Sequence, residues 1–413
     1  MKILLWHGYL LGGTGSNVYT RALARRWSRA GHEVVVFCQE PHPEEFDVGG
    51  ATVVRPALTG PLPVFVLDRY EDLEPRYLQD LTAAERDEYV ERNAAAVREH
   101  LPADFLLVNH VLLGAPVGAS VGMPFTVKAH GSELEFSIRG NGDLAAWARD
   151  SLEPAREVVV GSEHIREVLQ EVVGWTERVR VIPPGVDVEE FTPEPRDEAL
   201  RLLIAEARRD PPNPNRINER LPDDSNAERL EHFFAEDAPT VVYVGKLSEE
   251  KGVRLLLEAL RAVDARAVVV GFGPAREELE RVGGQRVLLT GPLEHRHLAH
   301  LWPLADVSVT PSVFPEAFGM VAAEAAACGS PPLVARHSGL ATVAAGLEQE
   351  YPPEHRHLAS FTTGDAGDLA AKLIELLALP APEWARLSEA ARRAAVRLWS
   401  WEYVAQLLVS PRG

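Results

Sequence analysis

Short apolar runs separated by longer amphipathic or alanine-rich stretches recur along this chain. Residues 2–6, 33–38, 104–109, 125–129, 158–161 and 179–183 each read as a buried strand, and most stretches between them as helices. The rhythm restarts at residues 240–244 and continues through 267–271, 287–290, 306–310 and 333–335. Alternation of this kind predicts parallel sheets covered by helices, and the restart predicts two Rossmann-like domains of α/β class. Local signals sharpen several ends. A helix over 18–30 stops at Gly31, Thr82 and Glu85 form a capping box for a helix running to about His100, and Ser162 caps another. Two stretches break the rhythm. Residues 59–79, rich in proline and aromatics (Phe65, Tyr70, Tyr77), have no period and predict a long functional loop. Residues 194–238 are dense in charge and proline, with two short helical patterns around Pro211, Pro212 and Pro214.

Composition changes this picture in a few respects. A length of 413 residues accommodates two to three domains, and a hydrophobic fraction of 46% supports large cores. The net charge of −19 argues against a general binder of nucleic acid or of anionic membranes. A local basic stripe on the first helix (Arg21, Arg25, Arg26, Arg29) leaves peripheral membrane contact open, beside the plainer reading of a solvated face. The two cysteines, Cys38 and Cys328, fall in different predicted domains, so reduced thiols and a cytoplasmic setting are expected. The apolar start is interrupted by His7 and Gly8 and reads as a strand rather than a signal peptide. No apolar run is long enough to cross a bilayer.

The candidate chemistry centres on residues 314–328. A turn containing Pro315, Glu316 and Gly319 leads into an alanine-rich helix that carries Glu324. Free N–H groups and the dipole at such a helix start favour an anion, while carboxylates accept hydrogen bonds from neutral hydroxyls. A phosphate flanked by hydroxyl-rich groups fits this layout, as in a sugar nucleotide. Lys246 and Lys251 stand five apart across a strand-to-helix turn and can converge on one anion. The glycine-rich turn Gly12-Gly13-Thr14-Gly15-Ser16 after the first strand brings backbone near a phosphate, and Glu40 stands where a dinucleotide enzyme holds a ribose. Val18 occupies the third glycine position of that motif, which disfavours a dehydrogenase. His130 follows a parallel strand at its carboxyl end, where open α/β sheets bind ligands, and His110 ends the strand before it. The run Asp187-Val188-Glu189-Glu190 is acidic, but no D-x-D occurs in the chain and no metal site is expected.

The 314–328 stretch, the Lys128-Ala129-His130-Gly131-Ser132 string, the Gly245–Gly252 string, Phe272-Gly273-Pro274, Gly291-Pro292-Leu293 and the Pro183–Phe191 connection resemble, in order, the motifs of family 4 retaining glycosyltransferases of the GT-B fold. The resemblance implies two Rossmann-like domains facing across a cleft. They would be residues 1–185 with a returning helix at about 396–413, and residues 186–395, the segment 194–238 being an insertion. It implies transfer of a sugar from a UDP- or GDP-sugar to an acceptor hydroxyl of a small molecule, glycan or lipid, with retention, no cofactor and no metal. The same resemblance assigns catalytic roles to His130, Lys246, Lys251 and Glu316. It assigns donor contacts to Gly12, Gly13, Gly273, Leu293, Phe318, Gly319, Met320 and Glu324; for the 59–79 loop, acceptor contacts are expected from its length alone. Trp399 and Trp401 would anchor the last helix on the first domain. Two departures stand out: Lys246 replaces a frequent arginine, and Thr342 and Val343 stand where relatives carry an acid after Gly339, which weakens any ligand role for residues 338–340. A sugar-nucleotide epimerase of the same architecture and a non-catalytic sugar-nucleotide sensor are the alternatives. Oligomeric state is not legible.

Overall fold

The computed structural model describes residues 1–66 and 73–410, so Tyr70 lies outside the described residues. The chain divides into two compact units, Met1–Pro184 with Val404–Gly413, and Gly185–Tyr403. In the first unit a seven-stranded parallel sheet has the order Thr52–Val54, Glu33–Phe37, Lys2–Trp6, Phe105–Asn109, Thr126–Lys128, Glu157–Val160, Val179–Val181. Its central strands are buried on both faces, which is why they read as unbroken apolar runs rather than as alternation. The order reverses at Lys2–Trp6 and Phe105–Asn109, so ligands are expected beyond the carboxyl ends of these two strands.

The second unit repeats the plan with six parallel strands in the order Val287–Gly291, Arg266–Val270, Thr240–Val244, Val307–Thr310, Pro332–Ala335, Ser360–Phe361. Here the reversal falls between Thr240–Val244 and Val307–Thr310. The 194–238 segment contributes two helices, Arg196–Ala207 and Asn226–Phe233, to this unit.

Several local expectations take physical form. Thr82 and Glu85 make the reciprocal capping box of helix Ala83–Arg98, and Ser162 Oγ accepts from the Ile165 N–H at 3.3 Å. The first helix starts earlier than its apolar pattern indicated, at Gly15, because Val18 N–H already bonds Thr14 O at 3.1 Å. Residues 59–79 are not simply a loop: Leu62–Val64 and Pro75–Tyr77 pair as short parallel strands, too brief to show a period. Of the arginine stripe, Arg25 and Arg29 reach Asp47 at 3.8 and 2.7 Å and Arg21 lies 5.5 Å above the Phe46 ring, so these cations are engaged within their own unit. Both cysteines are buried and free.

The expectation for Trp399 needs correction: it packs in the core of the second unit, edge-on to Phe318 with centroids 5.9 Å apart. Trp401 lies against Gly185, where a Cβ would come within 2.4 Å of its ring. The chain passes into the first unit only beyond them, where Trp27 Nε1 donates to Ala405 O at 3.0 Å.

One glycine reports how tightly the second unit's turns are set. Gly252 has φ of 67°, and a Cβ there would lie 1.9 Å from Pro311 O. Gly252→Ala is expected to lower the unfolding free energy by about 2 kcal/mol or more, measured from the urea midpoint. A loss below about 0.5 kcal/mol would mean that the two turns separate freely.

Candidate functional site

The second unit gathers its predicted residues at the carboxyl ends of its strands. After Thr240–Val244 the chain turns through Lys246 and Lys251 into helix Val253–Ala259, and Gly252 lets this turn lie against Pro311. The loop after Val307–Thr310 docks on the same turn. Val313 and Phe314 N–H donate to Glu250 O at 2.9 and 3.1 Å, as does Ser312 Oγ at 3.1 Å. That docking brings Glu316 Oε1 to 2.5 Å from Lys251 Nζ. Lys246 is exposed, and its carbonyl accepts from Tyr243 Oη at 2.8 Å. Hydrogen bonds from Ser248 and the Glu250 backbone hold the Glu250 carboxyl below its ordinary range, with smaller contributions from Lys246 and Lys251. Lys251 thus binds Glu316, the acid in the turn before helix Met320–Ala327.

Residues 338–340, expected to be a turn of doubtful role, open the helix Ser338–Glu350 and hold Glu316 in place. Ser338 Oγ accepts from Glu316 N–H at 2.9 Å, and Gly339 N–H donates to Glu316 O at 2.9 Å. His337 Nε2 lies 2.7 Å from Ser312 O, which makes that nitrogen the donor; Nδ1 then accepts from Ser338 Oγ at 3.1 Å. A Cβ on Gly339 would come within 2.4 Å of the Ala317–Phe318 peptide, so the close approach requires glycine.

Helix Met320–Ala327 begins at Gly319, whose φ of 130° is accessible to glycine and strained for other residues. Phe318 is buried beneath it and Met320 half-buried. Glu324, one turn in, is buried; burial first and then the nearby Glu190 push its carboxyl up to about 8, so it is protonated at neutral pH. His295 Nε2 stands 3.7 Å from Glu324 Oε1. Toward the sheet edge the turns stack: Leu247 N–H donates to Phe272 O at 2.8 Å and Gly271 N–H to Gly291 O at 3.0 Å. Gly273 and Leu293 are half-buried along this row, Gly273 with its α-carbon so close to Leu247 that a Cβ would meet Leu247 O at 2.6 Å. The acidic run at 187–190 serves the backbone, Asp187 Oδ1 accepting from the N–H groups of Glu189 and Glu190 at 3.1 and 3.3 Å.

The first unit holds a second constellation, larger than the sequence suggested. His7, His110 and His130 follow three adjacent strands, with ring centroids 6.0 Å apart for His7–His110 and 4.8 Å for His110–His130. Asn109 donates to Trp6 O and Thr20 Oγ1 at 3.3 and 3.2 Å, which turns its Oδ1 toward His130 Nε2 at 2.6 Å. His130 Nε2 is then the donor and Nδ1 is left as an acceptor. Burial, followed by His110 and Lys128, keeps this imidazole well below its ordinary pKa and therefore neutral. Glu133 is fully buried and ties the cluster together: it accepts from the N–H of His130 at 3.0 Å and of Val111 at 3.3 Å, with His110 Nδ1 at 3.3 Å. Burial works to raise the Glu133 carboxyl, but His110 and the backbone donors outweigh it and hold it below the ordinary range.

Gly12 and Gly13 sit in the turn beside this cluster. Gly12 O accepts from Asn17 Nδ2, and Asn17 Oδ1 lies 2.8 Å from His7 Nε2. Glu40, the candidate ribose acid of a dehydrogenase, is buried and consumed locally by Leu11 N–H at 3.0 Å and His42 N–H at 3.3 Å. His7, Asn109, Lys128 and Glu133 were not singled out from sequence. Only Glu133 left a signal, an acid three residues after His130, the spacing of a turn that closes on its own first N–H.

Two family models match the chain. One, described as "Glycosyltransferase Family 4", covers residues 13–190, and the other, "Glycosyl transferases group 1", covers residues 238–378. A D-inositol 3-phosphate glycosyltransferase of Xylanimonas cellulosilytica is 36% identical over 179 residues, 40% of this chain and 37% of that protein. A D-inositol 3-phosphate glycosyltransferase 2 of Catenulispora acidiphila is 26% identical over 405 residues, 89% of this chain and 82% of its own. Among solved structures, Anabaena HepE in complex with UDP has a TM-score of 0.67 at 18% identity, over 98% of both chains, and is similar in fold.

Lys128 provides a test of the first unit's electrostatics. Burial lowers this lysine from 10.5 to about 7, partly opposed by Glu133. Above about pH 7 the folded chain has released the proton that the unfolded chain keeps, so stability climbs with pH by up to about 1.4 kcal/mol per unit until the ordinary lysine value is reached. Lys128→Met is expected to flatten that climb in melts taken from pH 7 to 9. Equal slopes for the two proteins would contradict the buried, deprotonating lysine.

Proposed function

Because this chain belongs to glycosyltransferase family 4 and has the GT-B fold, we propose that it transfers a hexose from a UDP- or GDP-sugar to a hydroxyl of an inositol-phosphate-like acceptor, with retention and without a metal. The observation that carries this reading is the Lys251–Glu316 pair at 2.5 Å beside the start of helix Met320–Ala327. An ammonium offers three donors and a carboxylate about four acceptor sites, so each keeps capacity for a ligand while bound to the other. Lys251, Lys246 and the helix start face the diphosphate, whose negative charge grows as the glycosidic bond breaks, and stabilise it electrostatically. Glu316 accepts from hydroxyls of the transferred sugar, and Glu324 takes the ribose. Gly273, Leu293, Phe318, Gly319 and Met320 line the nucleotide.

In the first unit, neutral His130 keeps Nδ1 as an acceptor for a ligand hydroxyl. The names of the inositol-phosphate relatives support the acceptor class. No side chain is assigned as a nucleophile: the acceptor oxygen attacks the anomeric carbon on the face the diphosphate leaves, and a diphosphate oxygen takes the acceptor proton. An epimerase would isomerise the sugar nucleotide without any acceptor.

Release of UDP or GDP from a panel of sugar nucleotides, followed with and without inositol phosphates, tests this reading. Expected are acceptor-dependent release and a product of unchanged anomeric configuration by NMR. Acceptor-independent isomerisation, an inverted product or a covalent glycosyl–enzyme adduct would each overturn its respective part. Lys251→Met is expected to lower kcat/KM by roughly 10² or more.

The protonated state of Glu324 predicts a second outcome. Glu324→Gln, which resembles the neutral acid, keeps nucleoside diphosphate affinity within about threefold at pH 7, whereas Glu324→Ala weakens it about tenfold or more by calorimetry. Equal losses in both variants would mean that the bound form is the carboxylate.

A further inference from the structure

The 194–238 segment has no assigned role, yet its position is specific. Its middle docks on the carboxyl end of the sheet's edge strand, Val287–Gly291. Asp223 N–H and Asn226 Nδ2 both donate to Thr290 O, at 2.9 and 2.8 Å, and Arg229 Nη2 donates to Leu289 O at 2.6 Å. An otherwise open strand edge is thereby covered. The docking loop is stapled from inside by Asn213, which is 3% exposed. Its amide donates to the carbonyls of Asn218, Leu221 and Pro222 at 2.9, 3.3 and 3.1 Å, its Oδ1 accepts from Asn218 N–H at 3.1 Å, and its own N–H bonds Asp224 Oδ1 at 2.6 Å.

Asp223 joins this loop to two of the ligand-side turns. Its carboxylate, 9% exposed, ion-pairs with Arg276, three residues after Gly273, and with Arg229 at 3.3 Å. A Cβ on Gly291 would lie 2.8 Å from Asp223 Oδ1, so the carboxylate rests against the Gly291-Pro292-Leu293 turn itself. The turns after Thr240–Val244, Arg266–Val270 and Val287–Gly291 follow one another along the sheet at about 4.8 Å per strand. A diphosphate held at Lys251 thus has a row of about 10 Å leading to the Gly291 turn, on the scale of a nucleoside. The insertion adds one further wall at the far end of this row, where a base would sit.

We propose that the Asn213-stapled loop, acting through Asp223, sets the base selectivity of the nucleotide site by fixing the Gly291–Leu293 turn. Asp223 is a positioning residue, and the proposal rests on the nucleotide-sugar reading of the second unit. The test is calorimetric binding of UDP, GDP, ADP and inorganic pyrophosphate to the full chain and to Asp223→Asn and Asp223→Ala. Asp223→Asn keeps the volume and the backbone bond to Thr290 while removing the charge that holds Arg276, which guards against loss of fold. The preferred nucleoside diphosphate should weaken about tenfold while pyrophosphate changes less than threefold, so that the ratio between bases collapses toward one. Unchanged ratios in a variant that melts like the parent would reduce the insertion to an edge cover and overturn the proposal. A parent chain that binds none of the three nucleoside diphosphates would instead overturn the nucleotide reading on which it rests.

Discussion

The close approach of two backbone turns, at Gly252 and Pro311, is the constraint on which the second unit's chemistry depends. With no Cβ in the way, the Lys246–Lys251 turn lies flat against the loop after the neighbouring strand, and the N–H groups of Val313 and Phe314 close on Glu250 O. Lys251 and Glu316 meet as a consequence. The ion pair is not what holds the turns together: both groups are partly exposed, and such a pair contributes at most about 1 kcal/mol. The backbone contact sets the geometry, and the ion pair uses it. His337 and Ser338 then fix the far side of the Glu316 loop by a chain of hydrogen bonds in which every donor has an acceptor.

The first unit solves a different problem. Its switch point collects three imidazoles, a lysine and a glutamate in a largely buried space, where an unpaired charge would be costly. Glu133 meets that cost by accepting from two backbone N–H groups and a ring nitrogen, while His7 and His130 stay neutral. The Asn17 and Asn109 amides orient His7 and His130, so the ring nitrogen left to a ligand is decided by buried carbonyls rather than by the histidines themselves. In both units the groups assigned to the ligand are held by backbone and by neutral hydrogen-bond relays, which keeps them oriented before any ligand arrives.

The insertion belongs to the same logic. It caps a sheet edge, and through Asp223 it reaches the turns after Arg266–Val270 and Val287–Gly291. A segment that reads only as charged and proline-rich thus becomes part of the rim at the carboxyl ends of the second unit's strands.

The sequence by itself determined the two Rossmann-like units and their longer strands, because strands buried on both faces leave unbroken apolar runs and each glycine turn or cap leaves a local mark. The short edge strands Thr52–Val54 and Ser360–Phe361 left no such run. The sequence also singled out Glu316, Glu324, Lys246, Lys251 and His130 as candidates, which stand in motifs with short internal spacing. Only the tertiary structure decided which of them meet. Lys251 and Glu316 are 65 positions apart, and Asp223 and Gly291 nearly 70, so no local periodicity records their contact. The three-residue strands at 62–64 and 75–77 were invisible for a related reason: they are shorter than any repeat, and their pairing is a property of the partner. The protonation of Glu324 and the neutrality of His130 depend likewise on burial, which arises from everything packed around a residue and not from its neighbours in the chain.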